Sequence, residues 1–180
     1  MINIVTRYFI EEPVLPRRAD LSKTVCPVGR SAELVGDRAV LLILRDLFFG
    51  IRRFDAFQVN TGLGPQILAD RLKRLEQARV VERREYQRRP ARYEYWLTDK
   101  GKALFDVLYA MRNWAERWDY EADETGDAGP AMRYTHRTCG ADVGFATVCP
   151  ECGDTLSYGA LKGAMSAALL AERQARAGSR

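Results

Sequence analysis

The hydrophobic positions between residues 63 and 97 change their spacing from the period of a helix to that of strands. Gly64 is an acceptable N-cap, and Pro65 suits the first position of a helix because its missing N–H would have no partner there. Apolar residues then recur at helical spacing on one face, opposite a polar face. The pattern predicts an amphipathic helix over residues 64–78. Its apolar face carries Ile67, Leu68, Leu72 and Leu75, and its polar face carries Gln66, Asp70, Lys73 and Gln77, with Arg74 beside them.

Two runs rich in β-branched and aromatic residues follow this helix, at residues 80–83 and 92–97. A turn over residues 87–91 separates them, and Pro90 within it cannot donate to a ladder. The runs therefore predict an antiparallel hairpin. Its arginine cluster is compatible with a merely solvated face as well as with a phosphate-binding surface. The cluster consists of Arg83, Arg84, Arg88, Arg89 and Arg92, against a single acid, Glu85.

A strongly apolar helix is predicted between Asp37, a good N-cap, and Gly50, a good C-terminal stop. Because apolar residues occupy nearly every side of this helix, we expect it to be buried all round at the centre of the core. A shorter helix beginning at Pro27 and ending at Gly36 precedes it. The apolar residues of the central helix are Val40, Leu41, Leu42, Ile43, Leu44, Leu47, Phe48 and Phe49.

A brief helix over residues 54–59 and a turn over residues 60–62 connect this core to the amphipathic helix. A short helix, a turn containing Gly62 and a longer helix have the spacing of a helix-turn-helix. Residues 52–54 are expected to pair as a short strand against the hairpin. With the hairpin following, the segment predicts a winged helix, in which helix 64–78 enters the major groove and the cationic hairpin lies on phosphates.

A long helix capped by Thr98 is predicted after the hairpin, with apolar residues at alternating spacings of four and three. One interpretation is a helix that packs on its own core. We favour a dimer interface, because the core of so small a domain is already supplied. A two-fold dimer would present two reading helices to half-sites about 34–36 Å apart. The seam consists of Leu104, Leu108, Met111, Ala115 and Trp118, widened by Val107 and Trp114.

Composition restricts the class of protein without naming the partner. The 180 residues are 47% hydrophobic, which suffices for one domain and a small appendage, and no apolar run has the length of a membrane span. Residues 1–4 show no basic start of a secretion signal, so we expect a cytoplasmic protein. The formal net charge of +4 permits nucleic acid as a partner.

A second candidate site lies downstream of an acidic stretch, residues 119–130, that is typical of a linker. The single histidine of the chain and three of its four cysteines fall within residues 136–152 as H-x2-C and C-x2-C pairs. Four nitrogen and sulfur ligands are the set of a closed structural zinc site, and so small a region needs metal to fold. The alternatives are a reduced, metal-free knuckle or a redox-active Cys149–Cys152 pair. The expected ligands are His136, Cys139, Cys149 and Cys152.

The last segment, residues 160–176, contains helix-forming residues with Leu161, Met165 and Leu169 on one face. It predicts a C-terminal helix that packs on the knuckle or on a partner subunit, or else a frayed tail.

The chain between residues 24 and 118 resembles the HxlR-type winged helix-turn-helix regulators, which have a MarR-like fold. The resemblance implies a homodimeric bacterial transcription regulator, most often a repressor. In some members the cysteine that corresponds to Cys26 senses oxidants or electrophiles. The matching motifs, in family order, are Cys26-Pro27-Val28, Glu33-Leu34-Val35-Gly36, Leu41-Leu42-Ile43-Leu44-Arg45-Asp46-Leu47, Arg53-Phe54, Ile67-Leu68-Ala69-Asp70-Arg71-Leu72, Tyr93-Glu94-Tyr95 and Leu97-Thr98-Asp99-Lys100-Gly101.

The predicted fold class is α+β, mainly helical: a winged helix-turn-helix with a long C-terminal dimerisation helix and a small Cys/His knuckle. Five segments are expected along the chain. They are an N-terminal arm (1–22), the DNA-binding and dimerisation domain (23–120), a linker (121–131), the zinc knuckle (132–158) and a C-terminal helix or tail (159–180).

These features predict a dimeric transcriptional regulator that binds double-stranded DNA in a sequence-specific manner. It would act as a repressor on a pseudo-palindromic operator. A protein-interaction adaptor without operator specificity is the alternative, since winged helices and zinc knuckles both bind proteins. An enzyme is not expected, because no nucleophile elbow, phosphate loop or catalytic carboxylate pair is present. The expected DNA contacts are Gln66, Lys73, Arg74, Arg88, Arg89 and Arg92, and the expected dimer contacts are Leu104, Leu108, Met111, Trp114 and Trp118.

Cys26 is the remaining candidate. A thiol near Arg30 is expected to have a lowered pKa and could sense an electrophilic or small-molecule effector. The plainer interpretation is a small buried residue.

Overall fold

The computed structural model describes residues 23–118 and 129–178, and the chain divides into two compact units, Met1–Asp37 and Arg38–Arg180. The predicted arm (1–22) and most of the predicted linker lie outside the described residues. Among the described helices, none has both the length and the apolar character that crossing a membrane requires.

The first unit contains one described helix, α1 (Pro27–Val35). It begins at a proline and is followed by Gly36, as predicted, and Cys26 is its N-cap. A side chain at residue 36 would bring its Cβ within 2.4 Å of the Ala32 carbonyl oxygen, which favours glycine at this helix end. No residue of α1 is buried.

The second unit holds the winged helix-turn-helix and, over residues 131–165, a C-terminal module. The helix-turn-helix consists of a core helix, a short helix, a tight turn and the amphipathic helix, followed by the hairpin. The elements are α2 (Arg38–Phe48), α3 (Phe54–Thr61), α4 (Pro65–Gln77), β1 (Val81–Arg88), β2 (Ala91–Leu97), α5 (Asp99–Lys102), α6 (Phe105–Trp118), β3 (Met132–His136), β4 (Leu161–Met165) and α7 (Ala167–Gly178).

The core of the helix-turn-helix lies among α2, α3 and α4. Gly62 adopts a left-handed φ of 71° at the end of α3, which lets the chain turn sharply into α4. The following side chains have no exposed surface: Val40, Ile43, Leu44, Phe57, Leu68, Leu72, Leu75 and Val80.

The prediction that α2 is buried on all sides was wrong. Leu41, Leu42 and Phe48 are only half-buried. One side of α2 faces the helix-turn-helix core, whereas the other faces an apolar cavity of about 220 Å³ towards α6 and β3. The fully buried residue on α2 that the pattern did not predict is an acid, Asp46. It is held by Arg45 at 2.9 Å and by Arg173 of α7 at 2.7 Å.

The hairpin is confirmed and is longer than predicted. β1 and β2 pair antiparallel from Val81 with Leu97 to Arg88 with Ala91, with an irregularity between Glu85 and Gln87. The expected five-residue turn is reduced to Arg89 and Pro90 because both strands extend further into it. The short strand predicted over residues 52–54 is reduced to an isolated bridge between Arg53 and Glu94, because Phe54 already begins α3. The Tyr95 N–H donates to the Arg52 carbonyl beside it at 2.9 Å.

The long helix predicted after Thr98 is divided into α5 and α6. Thr98 caps α5 by accepting from the Gly101 N–H at 3.1 Å. A Cβ at residue 101 would lie 2.1 Å from the Val80 carbonyl oxygen, so this turn packs against the hairpin base too closely for any residue but glycine. The chain leaves helical geometry at residues 103–104 before α6 begins.

The prediction that a helix begins at residue 160 was also wrong. Residues Leu161–Met165 form β4, which pairs antiparallel with β3 from Met132–Met165 to His136–Leu161. The helix α7 begins only at Ala167. A strand is favoured here because its first residue, Leu161, joins the buried core of the module.

Candidate nucleic-acid interface and metal cluster

The outward face of α4 carries the predicted polar residues. Gln66, Asp70, Lys73 and Gln77 are exposed, while the leucines on the opposite side have no exposed surface. The Gln66 side-chain amide donates to Asp70 Oδ1 at 3.2 Å, one helical turn away. This hydrogen bond restrains the side chain of Gln66 and does not use its amide oxygen. Arg74 lies half-buried at one flank of this face.

Ile67 does not belong to the buried face to which the pattern assigned it. Its side chain is 47% exposed. The buried side of α4 is defined by Leu68, Leu72 and Leu75. Ile67 directly precedes Leu68 and is therefore rotated from it by about 100° around the helix axis. Ile67 therefore extends into solvent beside the polar residues.

The arginines of the hairpin fall into two groups. Those near its base are held against aromatic rings: the guanidinium carbon of Arg83 lies 4.1 Å from the Tyr93 ring centroid, and that of Arg84 lies 4.7 Å from the Trp96 centroid. Arg52 stacks closer on the same Trp96 ring, at 3.2 Å. These contacts stabilise the hairpin and restrict where the base arginines can reach.

The arginines at the hairpin tip are arranged differently. Arg88, Arg89 and Arg92 are exposed, and among the described residues no acidic group forms an ion pair with any of them. Arg92 is opposite Gln87 in the ladder and Arg88 is opposite Ala91, so the tip has no acidic neighbour across the strands. The tip is thus a concentrated positive charge that no acid of residues 23–118 or 129–178 neutralises in an ion pair.

The two sides of α6 have different environments. Phe105 and Tyr109 are buried. The predicted seam residues Leu104 and Leu108 are half-buried, whereas Met111, Trp114 and Trp118 are 47%, 61% and 73% exposed. With Val107, 42% exposed, these three form an apolar stripe at spacings of four, three and four. One side of α6 therefore packs within this chain, and a dimer interface on its exposed side stays a prediction.

The four predicted metal ligands come together in one cluster. His136 Nδ1 lies 3.3 Å from both Cys139 Sγ and Cys152 Sγ, and Cys139 Sγ lies 3.5 Å from Cys149 Sγ. All four ligand atoms lie within 4.8 Å of one another. A tetrahedral ion with bonds of about 2.0–2.3 Å separates its ligands by about 3.4–3.8 Å, so the donor set fits one metal ion.

Two similar backbone turns present these ligands. Each pair encloses two residues and is followed by a glycine, Gly140 or Gly153, with φ of 75° and 76°. In each turn the glycine N–H donates to the carbonyl of the first ligand, at 2.8 Å to His136 and at 3.0 Å to Cys149. The left-handed φ of these glycines allows the chain to turn back over the ligands.

The surroundings of the cluster favour a bound cation. Backbone N–H groups of Cys152 and then Glu151 hydrogen-bond to Cys149, and these contacts lower the pKa of its thiol to about 6. On the outer side of the imidazole, His136 Nε2 lies 3.9 Å from Asp154 Oδ2. Metal-bound histidines commonly direct their second nitrogen to a carboxylate, which fixes the ring orientation. The spacing of the ligands gave no indication of Asp154.

The module that carries the cluster is packed directly on α6. Phe105 and Tyr109 join Tyr134, Val143 and Leu156 in one buried cluster, and burial raises the pKa of Tyr134 to about 12. Polar side chains of α6 also bond to the module backbone. Tyr109 donates to the Ala146 carbonyl at 2.8 Å, and Asn113 donates to the Phe145 carbonyl at 3.0 Å. Arg112 donates to the carbonyl of Gly144 at 2.8 Å and to that of Met132. Glu116 accepts from the N–H groups of Ala131 at 3.1 Å and Met132 at 3.2 Å.

Cys26 is exposed, which contradicts the interpretation of a small buried residue. Its sulfur accepts from the Gly29 N–H at 3.4 Å at the start of α1. Arg30 donates to the carbonyls of Thr24 and Val25, at 3.0 and 2.8 Å, so this guanidinium binds the backbone before the cysteine. A sensing role for Cys26 stays a prediction.

Comparison with known proteins agrees with this geometry. The family model described as HxlR-like helix-turn-helix matches residues 34–123. The uncharacterized HTH-type transcriptional regulator Rv3095 of Mycobacterium tuberculosis (strain ATCC 25618 / H37Rv) is 35% identical over 130 residues, which cover 72% of this chain and 79% of the relative. The HTH-type transcriptional regulator YodB of Bacillus subtilis (strain 168) is 37% identical over 100 residues, 54% of this chain and 89% of the relative.

A solved structure extends the likeness to the fold. The crystal structure of PA1607, solved as a candidate transcription factor, superposes with a TM-score of 0.61 at 35% sequence identity. The match covers 77% of this chain and 94% of PA1607. The family match, the sequence relatives and the observed winged helix together confirm the resemblance inferred from the motifs. The chain belongs to the HxlR-like helix-turn-helix family, whose members are transcriptional regulators and not enzymes.

Proposed function

We propose that this regulator is a homodimeric repressor that binds a pseudo-palindromic operator in double-stranded DNA. In the proposed complex α4 lies in the major groove, where Gln66 and Lys73 contact base edges and Arg74 lies at the flank. Its site of action is the cytoplasm. The observation that carries the proposal is the pairing of an exposed polar helix face with an uncompensated cationic hairpin tip on the same domain.

The hairpin tip supplies binding strength in this proposal. Arg88, Arg89 and Arg92 have no acidic partner among the described residues, so binding a phosphate would break no ion pair with those residues. Contacts of this kind add affinity for any sequence and position the reading helix in register. The base arginines Arg83 and Arg84 stack on aromatic rings and are assigned a structural role.

The apolar stripe on α6 supplies the dimer contact. Trp114 and Trp118 are more than half exposed on a helix whose other side is packed against the C-terminal module. Exposed tryptophans at helical spacing are typical of interface residues that bury large apolar area. We assign Leu104, Leu108, Met111, Trp114 and Trp118 to this interface. Sedimentation of a Trp114→Glu variant as a monomer would support the assignment, and an unchanged dimer would contradict it.

The metal proposed for the cluster is zinc in a structural role. Three sulfur ligands and one imidazole leave no open coordination position, and zinc prefers this tetrahedral set. When bound, the ion would cross-link the two turns that carry His136, Cys139, Cys149 and Cys152. Cys26, the N-cap of α1, is proposed separately as a sensor of an electrophilic effector.

Selection of bound fragments from genomic DNA tests the regulator directly. The proposal predicts enrichment of a palindromic site with half-sites about one helical turn apart. Lys73→Ala should weaken binding to that site more than binding to unrelated duplex, because Lys73 faces the groove. If no sequence is enriched and duplex affinity stays at the non-specific level of roughly 10⁻⁴–10⁻⁶ M, the adaptor function is supported instead.

A further inference from the structure

Ile67 is an apolar residue that lies outside the buried core of the described residues. Its side chain is 47% exposed on α4, while the three leucines of the same helix have no exposed surface. Exposing a branched aliphatic side chain to water gains nothing for the folded chain. We propose that Ile67 determines specificity by packing against the 5-methyl group of a thymine in the major groove, an inference that rests on the proposed operator binding.

The position of Ile67 suits a base contact. Gly64 is the N-cap of α4, so Ile67 is in the first helical turn. In helix-turn-helix proteins the N-terminal residues of the reading helix contact base edges. Ile67 directly follows Gln66 and lies one turn before Asp70 on the exposed side. It therefore enters the groove together with the polar residues assigned to base contacts.

The chemistry selects thymine among the four bases. Thymine alone presents a methyl group in the major groove, and apolar side chains recognise it by contact. Gln66, whose amide nitrogen already donates to Asp70, retains the amide oxygen and a further N–H for a neighbouring base edge. A glutamine amide of this kind pairs with adenine, whose partner strand carries thymine. An amide and an aliphatic group in consecutive positions thus match an A·T step.

The surroundings of Ile67 argue against a protein partner at this point. Gln66, Asp70 and Lys73 are exposed around it, and Ile67 is the single large apolar residue of α4 that is exposed. Protein interfaces form on contiguous apolar patches, such as the stripe on α6, and isolated exposed aliphatic residues do not mark them. A single aliphatic group within a polar face is instead the pattern of a mixed hydrogen-bond and methyl readout.

Replacing thymine by deoxyuridine tests the inference, because deoxyuridine pairs identically but lacks the methyl group. Each thymine of the enriched operator is replaced in turn, symmetrically in both half-sites, and affinity is measured for the wild-type chain. We expect one position per half-site at which the replacement weakens binding about fourfold for each methyl lost, the factor for one buried methyl-sized group. In Ile67→Ala the same replacement should have no effect, whereas Ile67→Val should keep the response.

Two controls separate this contact from general effects. Leu170→Ala removes an apolar side chain of similar exposure, 46%, on α7, and it should respond to deoxyuridine as the wild type does. Thermal unfolding should be unchanged in Ile67→Ala, since the side chain is not part of the core.

Two outcomes would overturn the inference while leaving the proposed function intact. In the first, no deoxyuridine replacement changes wild-type affinity for the operator. In the second, a replacement weakens the wild type and Ile67→Ala equally. If no operator is enriched, both the proposed function and this inference are contradicted. That result differs from the two outcomes above because specific DNA binding is then absent altogether.

Discussion

The helix-turn-helix and the C-terminal module are stabilised in different ways. The core among α2, α3 and α4 consists of fully buried aliphatic and aromatic side chains from several elements. The module has two short strands, two ligand turns and a core that depends on Phe105 and Tyr109 of α6. Apolar burial therefore explains the folding of the first region, whereas we expect the second region to need a metal ion at the cluster and the surface of α6 to fold.

Metal removal is the test of this difference with the largest expected effect on stability. Chelation, or Cys149→Ser, should unfold the module while the core among α2, α3 and α4 stays folded, because structural zinc supplies apparent folding free energies of about 10 kcal/mol in small sites. Hydrogen exchange should show lost protection at β3 and β4 and retained protection at α2 and α4. Cys26→Ser, which removes the cysteine outside the cluster, should retain one metal ion per chain and full protection. Equal loss of protection in both regions on chelation would contradict the comparison.

A substitution in the first region gives the next largest effect. Leu72→Ala should lower the free energy of unfolding by about 2–5 kcal/mol, since it leaves a cavity in a fully buried site. Ile67→Ala, five positions earlier on the same helix, should change it by no more than about 0.5 kcal/mol. Urea denaturation of both variants checks the assignment of the two faces of α4. Similar losses in both would show that Ile67 is part of the core.

The contact between the C-terminal helix and α2 gives a smaller expected effect. Arg173 donates to the fully buried Asp46 at 2.7 Å, and its removal leaves that carboxylate with Arg45 as its remaining ion-pair partner among the described residues. Arg173→Ala should therefore cost about 1–3 kcal/mol of unfolding free energy. The neighbouring Gln174 is exposed, and Gln174→Ala is the matched control. A cost no larger than that of the control would mean that α7 does not stabilise α2.

The same contrast explains what could be predicted from the sequence. In α4 and the hairpin, local periodicity and turn residues agree with the tertiary contacts, so the elements were predicted to within a few residues. Ile67 was misassigned because periodicity alone does not distinguish an exposed apolar residue beside the core face from a buried one. The grouping of His136, Cys139, Cys149 and Cys152 in one cluster was predicted because their spacing and chemical type are specific.

Long-range contacts were not accessible from the sequence in the same way. The need for glycine at residue 101 depends on the approach of the Val80 carbonyl, which is distant along the chain. Residues Leu161–Met165 form a strand because β3 is available beside them, although their composition suits a helix. The ion pair of Asp46 with Arg173 joins residues separated by 127 positions, and no local pattern indicates it.

The salt dependence of duplex binding tests the central claim, that the hairpin tip binds DNA phosphates, most directly. Each phosphate contact contributes about 0.9 to the slope of log affinity against log salt concentration, so Arg88→Ala with Arg89→Ala should reduce the magnitude of the slope by about 1.8 per bound subunit, on operator and unrelated duplex alike. The control Arg84→Ala, at the hairpin base, should leave the slope unchanged. If the double variant keeps the wild-type slope, the hairpin tip does not bind phosphates, and the proposed mode of DNA binding is wrong.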